Sequence, residues 1–236
     1  MSKYPQEPSW TKYTLEETYY YNPLELIVED IDPTIPGEEI LLIYESALLD
    51  EGFFRLFSYN ESWTSEVIFS YNPVPTAARI GEFNASHQGT EILCITGEKI
   101  ILLQNQEGTW KRNKIWDNKA VDSPIGNGST YLSAVAVADF YPHLPGDEFA
   151  TCGNRSIKVG PECYYEETVM IFSKKSSSWE PEIIPLGDQT SHEVGIGDMI
   201  AINVTNSQQK DIIAVDSDGR VWLVYLTKDK WNAIEL

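Results

Sequence analysis

An acidic residue followed by glycine seven positions on and by glutamate nine positions on is written three times, as Asp30/Gly37/Glu39, Glu82/Gly89/Glu91 and Asp139/Gly146/Glu148. A degenerate fourth copy ends at Asp211. Each copy lies between two apolar runs, for example residues 132–138 leading in and 39–44 leading out, which reads as strand, tight corner, strand. A carboxylate at the head of the outgoing strand can accept hydrogen bonds from turn amides that nothing else satisfies. Glycine supplies a backbone conformation that side-chain-bearing residues avoid.

A second pattern is interleaved with the first. Trp10, Trp63, Trp110, Trp179 and Trp231 each open a short run of strand-forming residues just after a polar turn. Between each of the last four and the preceding corner lies one more apolar run, so every unit holds four strands joined by hairpin chemistry. The corner acid recurs at 39, 91, 148 and 211, every 52, 57 and 63 residues. Four short strands per unit at this period predict an all-β chain, a β-propeller of four four-stranded antiparallel blades. The repeats fall at roughly 17–69, 70–116, 117–185 and 186–236, within a single domain spanning 1–236. Five Trp runs against four corners leave residues 9–15 as an extra N-terminal strand. It is expected to dock beside residues 231–236 of the last blade, or to pair with another subunit.

The corner from Asp30 to Ile40 and its sister at Asp139 resemble the acidic turn of FG-GAP or VCBS-type repeats, the units of integrin-α-like propellers. In that family the turn between the first two strands often holds calcium. The resemblance implies Asp30, Asp32 and Glu39 as metal ligands here, since only the first copy keeps two alternating aspartates. The residues themselves support the structural role of the corner more strongly, and the expectation for cofactors is none apart from that calcium.

A formal net charge of −19 repels nucleic-acid backbones and anionic membrane surfaces. No apolar run approaches a membrane span and no secretory h-region is visible, so the expected location is cytoplasmic. Three cysteines without a CxxC pair give no zinc site, and Cys152 and Cys163 are expected to be reduced. No nucleophile elbow, HExxH or phosphate loop occurs, so catalysis is not expected.

What remains is binding. The connections from the fourth strand to the next blade, and from the second strand to the third, share one end of the propeller and carry the long, dissimilar segments. Among these are residues 117–130 and 153–167, both read as loops. Tyr20, Tyr21, Tyr71, Asn118, Tyr131, Tyr164 and Tyr165 lie there, and tyrosine gives contact area and a hydrogen bond at low entropic cost. Two readings follow: a non-catalytic module for a protein or peptide partner, as monomer or homodimer, or a lectin-like, carbohydrate-binding propeller assisted by calcium. The same tyrosines serve equally well to pack the loops down, and Trp63, Trp110 and Trp179 are expected in the core.

Overall fold

The computed structural model describes residues 21–236 apart from 47–50, 73, 86–88, 98, 118–120, 124, 125, 160, 161, 176, 177, 188–194, 206–208 and 229. The expected extra strand at 9–15 lies outside them. The first blade holds β1 (Tyr21–Glu29), β2 (Glu39–Ser46), β3 (Gly52–Asn60) and β4 (Ser62–Tyr71). The second holds β5 (Ala77–Gly81), β6 (Glu91–Ile95), β7 (Lys99–Gln106) and β8 (Thr109–Asp117). The third holds β9 (Val121–Ser123), β10 (Gly126–Ala138), β11 (Glu148–Val159), β12 (Glu162–Lys175) and β13 (Ser178–Pro185). The fourth holds β14 (Ile196–Ile202), β15 (Asp211–Asp216), β16 (Val221–Thr227) and β17 (Lys230–Glu235). Within each blade, strands that follow one another in sequence pair antiparallel, and no helix occurs among the described residues. The all-β propeller expectation stands, with one addition: β9 gives the third blade a fifth strand.

Each corner acid does what its position requires. Glu39 Oε2 accepts the amides of Ile31 and Asp32, and Glu148 Oε2 those of Phe140 and Tyr141, both at 2.9 Å. Glu91 accepts the Asn84 amide, and Asp211 those of Val204 and Thr205. All four acids are buried, and in the first and third corners the amides they accept include those of fully buried Ile31 and Phe140, which would otherwise lie unsatisfied beneath the surface. Gly37, Gly89 and Gly146 have φ of 115°, 104° and 91°, which explains the glycine two residues before each of the three glutamates.

Counting from the corner acid also fixes which way the second strand of each blade looks, because strand side chains alternate. Residues two and four beyond the acid face the following blade: Leu41 and Ile43 pack toward the second blade, Leu93 and Ile95 toward the third, and Ala150 and Cys152 toward the fourth. Residues one and three beyond it face the preceding blade, as Ile92, Cys94, Phe149, Ile212 and Ala214 do. The result is three apolar clusters, one at each boundary between successive blades. Among the described residues none joins the fourth blade to the first.

Tryptophan locks these boundaries. Trp110 packs on the cluster containing Ile31, Trp179 lies 6.4 Å from the Phe83 ring, and Trp231 lies 6.1 Å from Phe140. The Trp231 indole also donates to the Tyr141 hydroxyl at 2.8 Å. Trp179 and Trp231, each opening the last strand of its blade, thus meet the first corner residue of the blade before, and Trp110 packs on the cluster that contains the corresponding residue. Trp63, of the first blade, is half-buried like Trp110 and Trp179, but it packs on Tyr59 of its own blade. The core role expected for Trp110 and Trp179 therefore holds, while Trp63 faces outward from the first blade.

Candidate functional site

The third blade departs from its sisters at the end opposite the corners. Its second strand stays paired for eleven residues beyond Glu148, out to Val159 against Glu162, whereas the second-blade ladder ends four residues beyond Glu91, at Ile95 against Ile100. That difference carries the strand roughly 20 Å further. β10 accompanies it, pairing from Gly128 against Ile157 to Leu132 against Gly153, and β9 covers the outer side of β10. The segments read as loops, 117–130 and 153–167, are therefore largely a β-sheet arm. Alternating, β-branched and aromatic residues such as Ile157, Val159, Tyr164 and Tyr165 favour the pleated conformation over a loop.

Tyr164 and Tyr165 lie on this arm, opposite Ile157 and Ser156, and both are partly exposed. The Tyr164 hydroxyl donates to Glu162, and that bond to a carboxylate holds the phenol above its ordinary pKa. Tyr131 pairs with Asn154 at the foot of the arm, and Tyr21 opens β1 opposite Ser46. Tyr71 is elsewhere, between the first two blades. It stacks on Phe69 at 5.7 Å and accepts a hydrogen bond from Lys99, beside a cleft of about 280 Å³ also lined by Arg112, Lys114 and Asp117. Tyr20 and Asn118 lie outside the described residues. Tyr131, Tyr164 and Tyr165 thus belong to the arm, while Tyr71 sits apart at the first blade boundary.

The base of the arm is clamped to the fourth blade, an arrangement that sequence reasoning missed. Glu167 is 4% exposed, and its Oε2 accepts from the Arg220 guanidinium at 3.1 Å. Arg220 also lies against Asp216 at 2.6 Å and over the Trp222 ring at 5.5 Å. Asp216 is pushed up by burial, but the Arg220 amide, the Trp222 indole and the guanidinium together hold it below the usual aspartate range. The Ser133 hydroxyl adds a bond to the Ile196 carbonyl at 2.8 Å. Fifty-three residues separate Glu167 from Arg220, and no local pattern announces the pair.

Burial pushes the carboxyls of Glu148 and Glu167 from 4.5 up to about 7. For Glu148 the two turn amides oppose the shift, and Asp139 and Asp147 add to it; for Glu167, Arg220 opposes it, and Asp216 and Asp218 add to it. Both turn amides reach the same oxygen of Glu148, so a proton on the other leaves the corner intact. Between about pH 4.5 and 7 the folded chain holds protons that the unfolded chain has released, so stability falls as pH rises through that window. Each group contributes on the order of 3 kcal/mol at most. Thermal melts are expected to give a higher midpoint near pH 5 than near pH 8, and Glu148→Gln should flatten the dependence. A midpoint that rose with pH would contradict both shifts.

The corner end of the propeller carries clefts that sequence analysis did not anticipate. One of about 550 Å³ lies between Asp32, Pro33 and Thr34 of the first blade and Asn105, Gly108 and Lys111 of the second. Others, of about 420 and 700 Å³, occupy the next two boundaries, beside Asn84, Lys174 and Trp179 and beside Tyr141, His143 and Glu182. In the first cleft Asp32 accepts from the Thr34 amide and hydroxyl through one oxygen and from Asn105 through the other. Asp30 is exposed, with its carbonyl accepting from Thr90. Asp32 and Glu39 thus already serve N–H and O–H donors, and among the described residues no three His, Cys, Asp or Glu side chains gather as a metal-binding group. Cys94 and Cys152 are free and buried, with both thiols pushed up by burial.

No family model matches the chain, and no curated protein sequence matches it. Among solved structures it is similar to one described as BBS1N in complex with ARL6DN. The identity is 11% over 89% of this chain and 91% of the other, with a TM-score of 0.34, a likeness too slight to carry an argument. The propeller architecture rests instead on four successive antiparallel sheets, their repeated corners and the alternation that packs each blade against the next.

Proposed function

We propose that this chain is a non-catalytic scaffold that binds a protein or peptide through the arm of the third blade. The observation that carries the reading is the arm itself: one blade of four extends a paired sheet well past its sisters, with Tyr164 and Tyr165 on it and its base clamped by Glu167 and Arg220. A rigid strand pair with partly exposed aromatic rings presents contact area with little entropy left to lose. The acidity of the chain suits a partner with a basic face.

Replacing Tyr164 and Tyr165 with alanine is expected to reduce capture of the partner from native extract at least tenfold. The melting midpoint should move by no more than a few degrees, since neither ring is part of the blade clusters. Undiminished capture by a folded double variant would refute the arm as the binding site.

The recurrence of a cleft at each of three blade boundaries favours a second reading, carbohydrate binding at the corner end, with calcium at Asp30, Asp32 and Glu39 as its aid. A glycan array with and without calcium separates the two. Glycan binding lost on Asp32→Asn but indifferent to the tyrosine pair would favour the corner clefts over the arm.

A further inference from the structure

The first and last blades each turn one apolar face toward no other blade among the described residues. Alternation from the corner acid shows what each face is. On the first blade the face meant for a preceding blade carries Leu26, Val28 and Val67, 61%, 47% and 46% exposed. On the fourth blade the face meant for a following blade carries Ile200, Val215 and Ile234, 58%, 38% and 44% exposed. The second strands show the contrast position for position: one residue beyond the corner acid Ile40 is half-buried where Ile92, Phe149 and Ile212 are 0% exposed, and two beyond it Ile213 is half-buried where Leu41, Leu93 and Ala150 are 0% exposed.

The tryptophan lock is broken in the same sense. Ile31, Phe83 and Phe140 are buried first-corner residues, each at a boundary sealed by the Trp of the following blade. Val204 holds that place in the fourth blade, its amide donating to the corner acid Asp211, yet it is 46% exposed. Trp63 is the first-blade counterpart of those tryptophans and among the described residues meets no preceding blade. One end of the chain thus carries the receiver of the repeated interface, and the other end carries the insert.

We propose that two copies of this chain join head to tail, the fourth blade of each seated on the first blade of the other, with Trp63 against Val204. A face that is complementary to a different face of the same chain makes a heterologous contact, which closes into a ring when the rotation allows. Four blades from each copy give an eight-bladed ring, within the range that propellers use, and both apolar end faces are then covered. The inference is independent of the binding role given to the arm.

Sedimentation velocity of the full chain, from low to high micromolar concentration, is expected to show a species of twice the 26.7 kDa chain mass. Leu26→Lys and Ile200→Lys, both at exposed positions, should each yield a folded monomer. An equimolar mixture of the two should recover a dimer, because one sound junction remains between an unaltered fourth blade and an unaltered first blade. A chain carrying Trp63→Cys mixed with one carrying Val204→Cys should form an interchain disulfide that neither forms alone. A parent chain that is monomeric throughout would overturn the proposal. So would a dimer lost in only one of the two lysine variants, which marks a contact between like faces. A chain carrying both cysteines that links only within itself would show a ring closing on its own fourth blade, and would overturn it as well.

Discussion

Glu148→Ala is expected to lower unfolding stability by about 3–5 kcal/mol, whereas Glu148→Gln should cost about 1 kcal/mol or less. The difference lies in what is left behind. Phe140 and Tyr141 donate their amides to one carboxylate oxygen inside a corner where Glu148 is 2% exposed and Phe140 is fully buried. Alanine strands both donors without water, and each stranded group costs about 1–3 kcal/mol. Glutamine keeps an acceptor oxygen at the same reach, and the proton that Glu148 holds up to about pH 7 makes the amide a close mimic of the native acid. Urea denaturation of both variants at neutral pH measures the contrast. Equal losses would mean that the negative charge, and not the acceptor geometry, holds the corner.

The same corner shows why so much of the fold was legible. Acid, glycine and offset are local, and each has one physical cause that recurs wherever a strand pair turns through this corner. The degenerate fourth copy follows the rule with a shorter side chain. Asp211 takes the amides seven and six residues back, where Glu148 takes those eight and seven back, so losing a methylene is matched by a corner one residue tighter. The positive φ of three corner glycines was readable for the same reason.

The arm was misread because its local signals point the wrong way. Gly153-Asn154 and Gly160-Pro161 are turn-forming pairs that locally favour a loop, yet β11 and β12 stay paired past Gly153. The pairing that overrides them is built across strands, Arg155 opposite Glu166 and Ser156 opposite Tyr165, with β10 on the other side. The Glu167–Arg220 clamp was invisible for a related cause: it joins two blades through side chains more than fifty residues apart. The outward position of Trp63 was equally hidden, since the sequence assigns it the same role as Trp110 and Trp179 and only the succession of blades shows that among the described residues no blade precedes it.

Phe172→Ala should have a comparably large effect, about 3–5 kcal/mol, against roughly 1 kcal/mol for Phe172→Leu. Phe172 is fully buried, stacks on Phe149 at 4.8 Å and 10°, and meets Trp116 of the second blade edge-on at 5.8 Å. Phe149 in turn touches Trp179 at 5.2 Å and the edge of Phe83 at 6.0 Å, so the aromatic rings form one body across the middle boundary. Removing Phe172 therefore weakens the junction between the first two blades and the last two, besides opening a cavity. Because blades are coupled mainly to their neighbours, the denaturation curve of Phe172→Ala is expected to broaden or split as the halves lose cooperativity. The leucine variant should keep one sharp transition. Phe149→Ala alone and the double variant complete a cycle: rings in direct contact should lose less together than the sum of their separate losses, since the second ring has already lost its partner. Strict additivity, with a single sharp transition in every variant, would show that the rings act separately and that cohesion at this boundary comes from the backbone contacts instead, such as the Asp147 amide on the Glu82 carbonyl.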